Sequence, residues 1–124
     1  MILALLVTQD QSSFSNLASV LKKNNMGIIW AESGKAALSI LENKFVHLLL
    51  TDEQLGDMSG LELIKKVVSM NPMINCAAVS SLSPEDFHEA YEGLGVLMEI
   101  NPSPDAEDGE RLIARIKKIY SMDS

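Results

Sequence analysis

Three oxygen-bearing side chains stand just beyond short apolar runs of the sequence. Asp10, Asp52 and Ser80 follow the first, third and fourth of five such runs. If the runs are parallel strands, their carboxyl ends meet at one edge of a sheet, where open α/β folds bind their ligands. Two carboxylates and a hydroxyl are hard oxygen ligands of the kind that Mg²⁺ takes, together with waters and phosphate oxygens. The sequence therefore predicts an acidic, oxygen-rich site at that edge.

The elements that must position these residues follow from the apolar patterns. The five runs are nearly continuous, which is typical of strands buried on both faces of a parallel sheet. They cover 2–7, 28–31, 47–50, 74–79 and 96–100. Helical spacing separates them, and its patterns lie at 14–21, 37–41, 61–68, 87–94 and 113–120. Ser83 before Pro84 predicts the start of the fourth helix. The order (βα)₅ predicts a doubly wound α/β sandwich around a five-stranded parallel sheet.

Length, composition and charge limit the classes of protein to which the chain can belong. A chain of 124 residues, 47% of them hydrophobic, has room for one core. We expect a single domain over 1–124, with its core at about 2–120 and a loose tail at Ser121–Ser124. No apolar run is long enough to span a membrane, and the single Cys76 cannot form an internal disulfide, so we expect a cytoplasmic protein. The net charge of −7 disfavours direct nucleic-acid binding.

Four stretches of the sequence are informative together: Leu5–Phe14, Ala31–Leu38, Asp52–Gly60 and Asn101–Pro102. They resemble, in that order, the first strand and acidic loop, the second strand-to-helix junction, the phosphoacceptor loop and the Lys-Pro pair of the receiver domain of bacterial two-component response regulators. The resemblance covers the chain from residue 2 to about 120. Asp52 precedes Gly60 by eight residues. Ser80 lies 28 residues beyond Asp52, at the family's Thr or Ser position.

The resemblance implies a flavodoxin-like fold with strand order 2-1-3-4-5 and a role in phosphorelay signalling. It implies that Asp52 accepts a phosphoryl group from a histidine kinase or a phosphotransfer protein. Ser80 would turn its hydroxyl to that group as a switch. Asp10, Asp52, the backbone carbonyl of Gln54 and the side chain at Gln9 would hold Mg²⁺. No enzymatic activity is expected beyond self-phosphorylation.

Four residues depart from the family's pattern. Gln9 stands where the first acid of a pair is expected, which weakens the predicted Mg²⁺ site. Asn101 replaces the lysine that would clamp the phosphoryl group, a loss that we expect to slow transfer by about 10²–10³-fold. Gly56 replaces a proline and loosens the loop after Asp52. Met98 occupies the position of the switch aromatic on the fifth strand.

Two other functions remain open from the sequence. Gln9 and Asn101 favour a pseudo-receiver, which uses the fold as a phosphorylation-independent binding or dimerisation domain. Asp10, Asp52 and Ser80 favour the phosphoacceptor, which we predict first. A flavin or nucleotide binder is a remote third class, because the loop after the first strand contains an acid and no glycine to cradle a phosphate.

The fourth helix, fifth strand and fifth helix form the usual output surface of the resembling family. Tyr91, Val96 and Met98 would supply apolar area there for a protein partner or a homodimer. Glu53 and Asp57, in the loop after the third strand, are interpreted as solvated acids. The predicted contacts therefore lie on the output surface and at the strand ends.

Overall fold

The computed structural model describes residues 1–120 as an alternating series of strands and helices. The strands are β1 (Leu3–Val7), β2 (Gly27–Ala31), β3 (Leu48–Thr51), β4 (Asn75–Val79) and β5 (Glu99–Ile100). The helices are α1 (Ser15–Lys23), α2 (Gly34–Asn43), α3 (Gly60–Met70), α4 (Pro84–Ala90) and α5 (Ala106–Tyr120), and a 3₁₀ turn (Gln11–Phe14) precedes α1. The tail predicted at Ser121–Ser124 lies outside the described residues. Within 1–120, none of the helices has the length and apolar character needed to cross a membrane.

All five strands run parallel in one sheet, in the order β2-β1-β3-β4-β5. The register aligns Val7 of β1 with Ala31 of β2 on one side and with Thr51 of β3 on the other. This arrangement confirms the predicted sandwich and the strand order that the resemblance implied. Because parallel strands are joined through helices, both faces of the sheet are covered, which explains the continuous apolar runs.

The two faces of the sheet form two apolar layers, and alternate strand residues point into each. From β1, Leu6 packs into the layer shared with α1 and α5, whereas Leu5 packs into the layer shared with α2, α3 and α4. Both leucines are fully buried. Since burial of one leucine side chain stabilises a fold by about 1.5–3 kcal/mol, these layers hold the strands and their carboxyl ends in place.

Helix α4 is shorter than its apolar pattern predicts. It begins as predicted, since the Ser83 side chain accepts a hydrogen bond from the Asp86 N–H. It ends at Ala90, and the chain then turns through Gly93, whose φ of 81° lies in the left-handed region that commonly ends helices. Leu94, the last residue of the pattern, therefore lies in a turn rather than in the helix.

Strand β5 is also shorter than predicted, with two residues in place of the run 96–100. Gly95 precedes it with a φ of 67°, a second left-handed position. The Leu97 N–H already donates to the Cys76 carbonyl of β4 at 2.8 Å, so the chain runs beside β4 before regular pairing begins. The apolar pattern predicted the path of this segment but not its irregular backbone.

Candidate functional site

Asp52 lies directly after β3, near the middle of the edge where the strands end. Its backbone N–H donates to the Val7 carbonyl of β1 at 2.8 Å, which ties the start of the loop to the neighbouring strand. The side chain is half-buried. Ser80 follows β4, the next strand in the sheet, so the structure brings Asp52 and Ser80 to one edge as predicted.

The Asp52 carboxylate faces a hydroxyl that sequence reasoning missed. Its Oδ2 accepts a hydrogen bond from Thr8 Oγ1 at 2.9 Å, and its Oδ1 accepts one from the Glu53 N–H at 2.8 Å. Thr8 is fully buried and also accepts a hydrogen bond from the Asp10 N–H at 3.1 Å. Because Val7 and Thr51 are paired, Thr8 and Asp52 are the first residues past the pair on each strand. That register was the signal that could have identified Thr8.

The Asp10 carboxylate caps the turn that follows β1. Its Oδ1 accepts hydrogen bonds from the N–H and the hydroxyl of Ser12, so the side chain caps the 3₁₀ turn that leads into α1. The side chain is exposed. Its link to Asp52 passes through the Asp10 backbone and the Thr8 hydroxyl. In this structure the Asp10 carboxylate therefore caps the turn, and its predicted role beside Asp52 in a Mg²⁺ site stays a prediction.

The Gln9 side chain lies over the loop that follows β3. A Cβ atom added at Gly56 would come within 2.6 Å of the Gln9 Nε2, so the two residues are in close approach. Gly56 has a φ of 84°, which a proline cannot adopt, and the glycine therefore sets the shape of the loop. Gln54 is exposed and forms an isolated antiparallel bridge with Ser59.

The loop between β4 and α4 is tied to the loop after β3 by Glu53. The Glu53 Oε2 accepts hydrogen bonds from both the N–H and the hydroxyl of Ser81, at 2.9 and 3.0 Å. Ser80 is 4% exposed, and its hydroxyl accepts a hydrogen bond from the Leu82 N–H at 3.0 Å. Glu53 is thus a structural link between two loops, and its interpretation as a solvated acid is wrong.

Asp57 links the same loop to α2. Its two carboxylate oxygens accept hydrogen bonds from the N–H groups of Gly34 and Lys35, at 3.0 and 2.9 Å. These are free N–H groups at the start of a helix, where a negative charge is favourable. The hydrogen bonds from Lys35 and Gly34 lower the pKa of Asp57 below its ordinary value of 3.8. Asp57 is exposed, so it is a solvated acid as interpreted, and in addition it links the loop to α2.

Asn101 belongs to a separate cluster at the start of α5. Its side-chain amide donates to Asp108 Oδ1 at 3.5 Å, and Arg111 forms an ion pair with the same carboxylate. Asp108 Oδ2 accepts from the Asp105 N–H at 3.1 Å, while Asp105 Oδ1 accepts from the Asp108 N–H at 3.0 Å, a reciprocal capping box. The side chain at the lysine position is thus directed to α5.

Tyr91 and Met98 are buried, at 8% and 7% exposure, so the prediction that they supply accessible apolar area is wrong. Tyr91 stacks on Phe87 with ring centroids 4.3 Å apart. Burial, with the nearby charges of Glu53 and Glu99, raises the pKa of Tyr91 to about 12. Met98 packs in the apolar layer of α1 and α5. Tyr91, the residue that ends α4, packs with Phe87 in the apolar layer of α2, α3 and α4.

Two of the acids near the strand ends make hydrogen bonds within the protein, and the Mg²⁺ centre that the resemblance implied stays a prediction. Mg²⁺ sites use near-octahedral oxygen ligands, with one or two carboxylates that face the ion. Here the Asp52 carboxylate accepts hydrogen bonds from Thr8 and from the Glu53 N–H, Asp10 Oδ1 caps its turn, and Glu53 Oε2 holds Ser81. Within residues 1–120, no group of three or more His, Cys, Asp or Glu side chains is arranged to hold a metal ion.

Comparison with known families agrees with this fold and this edge. A family described as the response regulator receiver domain matches residues 4–101. The chain belongs to this family. The matched range reaches from β1 to the end of β5 and includes Asp52 and Ser80. The protein is thus a receiver domain of the two-component signalling type, a class that interacts with histidine kinases or phosphotransfer proteins.

Solved receiver structures share the fold at low sequence identity. A CheY-like response regulator receiver domain protein from Methanospirillum hungatei JF-1 superposes with a TM-score of 0.81 at 22% identity, covering 98% of this chain and 94% of that one. The chemotaxis response regulator CheY4 of Vibrio cholerae gives a TM-score of 0.81 at 16% identity, covering 94% of this chain and 98% of that one. The receiver architecture is therefore retained although most residues differ.

Curated relatives are longer than this chain. The uncharacterized transcriptional regulatory protein YesN of Bacillus subtilis (strain 168) is 26% identical over an alignment of 121 residues that covers 92% of this chain and 33% of that protein. A cyclic di-GMP phosphodiesterase of Thermotoga maritima is 34% identical over 68 residues, 55% of this chain and 18% of that protein. The chain thus spans a third or less of the length of these relatives.

Proposed function

We propose that this receiver domain signals through protein contacts and does not depend on Mg²⁺-assisted phosphorylation of Asp52. One observation carries the proposal: the group that contacts the Asp52 carboxylate from β1 is the neutral Thr8 hydroxyl, at 2.9 Å, and it is neither a second carboxylate nor a cation. Phosphoryl transfer is mainly a matter of positioning and of neutralising charge. Within residues 1–120, no Lys or Arg side chain bonds to Asp52, and the sole ion pair joins Arg111 to Asp108.

A phosphoryl group on Asp52 would add negative charge next to Glu53. Phosphorylation stabilises a structure where arginine or lysine side chains can pair with it, and beside carboxylates it is unfavourable. Glu53 already holds Ser81 by two hydrogen bonds. In this proposal the resident carboxylate of Glu53 keeps the β4–α4 loop in place, so the loop is ordered without a phosphoryl group.

Slow phosphorylation of Asp52 is the second candidate function. Its support is the position of the carboxylate, which is half-exposed at the carboxyl end of a central strand and shares its edge with Ser80. In this case a histidine kinase or a phosphotransfer protein supplies the phosphoryl group. The missing cations would make the reaction slow, by about 10²–10³-fold for each stabilising group lost.

The partners in either case are proteins. The net charge of −7 disfavours nucleic acid as a direct ligand. A homodimer through α4, β5 and α5 is also part of the proposal, because α4 exposes acids, whereas α5 exposes bases from Arg111 onward, after the exposed acids Glu107 and Glu110 of its first turns. The acids of α4 are Glu85, Asp86 and Glu89, and the bases of α5 are Arg111, Arg115 and Lys118. In this role the domain turns over no substrate of its own.

Intact-protein mass spectrometry with acetyl phosphate, with and without Mg²⁺, tests the proposal. We expect the wild-type chain to gain no phosphoryl group within hours. The double variant Thr8→Asp with Asn101→Lys restores a facing carboxylate and a cation, so we expect it to be phosphorylated in a Mg²⁺-dependent way. Asp52→Asn in the restored background is the blank.

The matched control is Gln9→Asp with Asn101→Lys, which adds the same charges but places the acid over Gly56 rather than beside Asp52. We expect this double variant to gain less phosphorylation than the double variant with Thr8→Asp. Rapid, Mg²⁺-dependent phosphorylation of the wild-type chain would contradict the proposal and establish the second candidate. A slow, partial gain on wild type that Asp52→Asn removes would also favour the second candidate.

A further inference from the structure

A groove runs between α2 and α3, on a surface that the proposed function does not use. It consists of two adjoining cavities of about 520 and 380 Å³, which share Glu42 and Met70 in their lining. Leu38 and Leu41 of α2 line one wall, and Ile74, just before β4, lines the inner end. The two helices therefore leave a shallow groove between them that is open to solvent and lined by both apolar and polar side chains.

Large apolar side chains are exposed at this groove. Phe45 and Met70 line it and are 47% and 48% exposed, and they are two of six large hydrophobic residues that are exposed within residues 1–120. Methionine adapts its shape to varied partners, and exposed aromatic and methionine side chains are enriched at protein interfaces. These side chains thus offer an apolar surface for a partner.

The rim of the groove is positively charged although the chain is acidic overall. Lys44, Lys65 and Lys66 line it with one acid, Glu42, which gives the lining a formal charge of +2 in a chain of net charge −7. Within residues 1–120, none of these lysines has a carboxylate within ion-pair distance. Their ammonium groups are available to an external acid, and their aliphatic stems extend the apolar surface.

We propose that this groove binds an acidic amphipathic helix of a partner protein. The two walls are helices, and from Leu38 to Asn43 the α2 wall is about 8 Å long at 1.5 Å per residue, which matches one to two turns of a bound helix. A helix with apolar residues at i, i+3, i+4 and i+7 fits the apolar side chains of such a groove. Acidic residues on its flanks pair with the three lysines.

Nuclear magnetic resonance of the ¹⁵N-labelled full chain tests this inference with a defined probe. The probe is a capped peptide of about 14 residues made of leucine, glutamate and alanine, with a leucine stripe at i, i+3, i+4 and i+7 and glutamates beside it. We expect chemical-shift changes at Leu38, Phe45 and Met70. Higher ionic strength should weaken the binding, because the lysine contacts are exposed and screened by salt.

Charge reversal of the rim provides the decisive variant. We expect Lys65→Glu with Lys66→Glu to weaken probe binding by at least about tenfold. The matched control is Lys22→Glu with Lys23→Glu, an exposed lysine pair at the end of α1 with the same change of net charge, and we expect it to leave binding unchanged. A peptide of the same composition without the leucine stripe should bind more weakly than the probe.

Several outcomes would overturn the inference. These are shift changes outside the groove, no shift changes at millimolar probe, or equal weakening by the two lysine-pair variants, which would indicate unspecific charge attraction. Concentration-dependent shifts at the groove without peptide would show that a second copy of the chain is its occupant. Each of these results leaves the proposal on Asp52 untouched, because the lysine variants do not alter the strand ends.

Discussion

Two carboxylate clusters at the same end of the sheet are stabilised in opposite ways. Asp108 is 3% exposed, pairs with Arg111 and closes a capping box with Asp105 at the start of α5. Asp52 is half-buried, and neutral donors hold it: the Thr8 hydroxyl and a backbone N–H. A deeply buried charge needs a countercharge, whereas a half-exposed one does not. At this end of the sheet, Arg111 and the side-chain amide of Asn101 therefore both contact Asp108, and neither of them bonds to Asp52.

Removal of the Asp108 carboxylate should give the largest effect on stability. Asp108→Ala deletes an ion pair and half of a capping box, and it leaves the Asp105 N–H without its partner, so we expect a loss of about 2–3 kcal/mol. Urea unfolding followed by Trp30 fluorescence measures it. Asp86→Ala is the matched control, because Asp86 occupies the same third position of α4 and is exposed. A loss from Asp86→Ala as large as from Asp108→Ala would contradict the comparison.

We expect Thr8→Val to lower the free energy of unfolding by less than Asp108→Ala does, by about 1–2 kcal/mol. The substitution keeps the shape of a fully buried side chain but leaves Asp52 Oδ2 and the Asp10 N–H without their hydroxyl partner. Thr51→Val is the matched control on the paired strand, since its hydroxyl donates to the neutral Asp52 carbonyl at 3.0 Å. Hydrogen bonds to charged groups are the stronger ones, so we expect the Thr8 variant to lose more in urea unfolding. Equal losses would mean that the Asp52 charge adds nothing to the Thr8 bond.

The smallest expected effect on stability is the pH dependence at low pH that the Asp57 carboxylate contributes. Its pKa is lowered below 3.8 in the folded chain, so its contribution is fully present above that value and is lost as the pH falls through the folded pKa. Asp57→Asn removes the titration. We therefore expect the difference in urea midpoint between wild type and Asp57→Asn to shrink as the pH falls below 3.8. A difference that is constant with pH would show that the carboxylate charge plays no part in holding α2.

The sequence was sufficient for the architecture because the apolar runs and helical patterns are local features. The five parallel strands, the cap of α4 at Ser83 and the place of Asp52 at a strand end all follow from such patterns. The lengths of α4 and β5 do not, because Gly93 and Gly95 turn the chain within an apolar stretch that resembles helix and strand.

The contacts within the site could be predicted only from the register between the strands. A sequence shows that Asp10 is the nearest acid to β1, and chemistry favours an acid as the partner of Asp52. The register shows that Thr8 is the residue level with Asp52, and a side chain two positions farther on turns to Ser12 instead. The hydrogen bonds of Glu53 and Asp57 join segments that are 22 to 28 residues apart in the chain, so no local sequence pattern predicts them.

The loop after β3 has a consequence for how charge is hydrated in this domain. Asp52, Glu53 and Asp57 place three carboxylates within six residues, and each accepts hydrogen bonds from neutral N–H or O–H groups of the protein. Those groups take over contacts that water molecules would otherwise make. Protein groups therefore share the solvation of these carboxylates with water, and because the groups belong to the segment after β1, to α2 and to the β4–α4 loop, the three charges fasten these segments together.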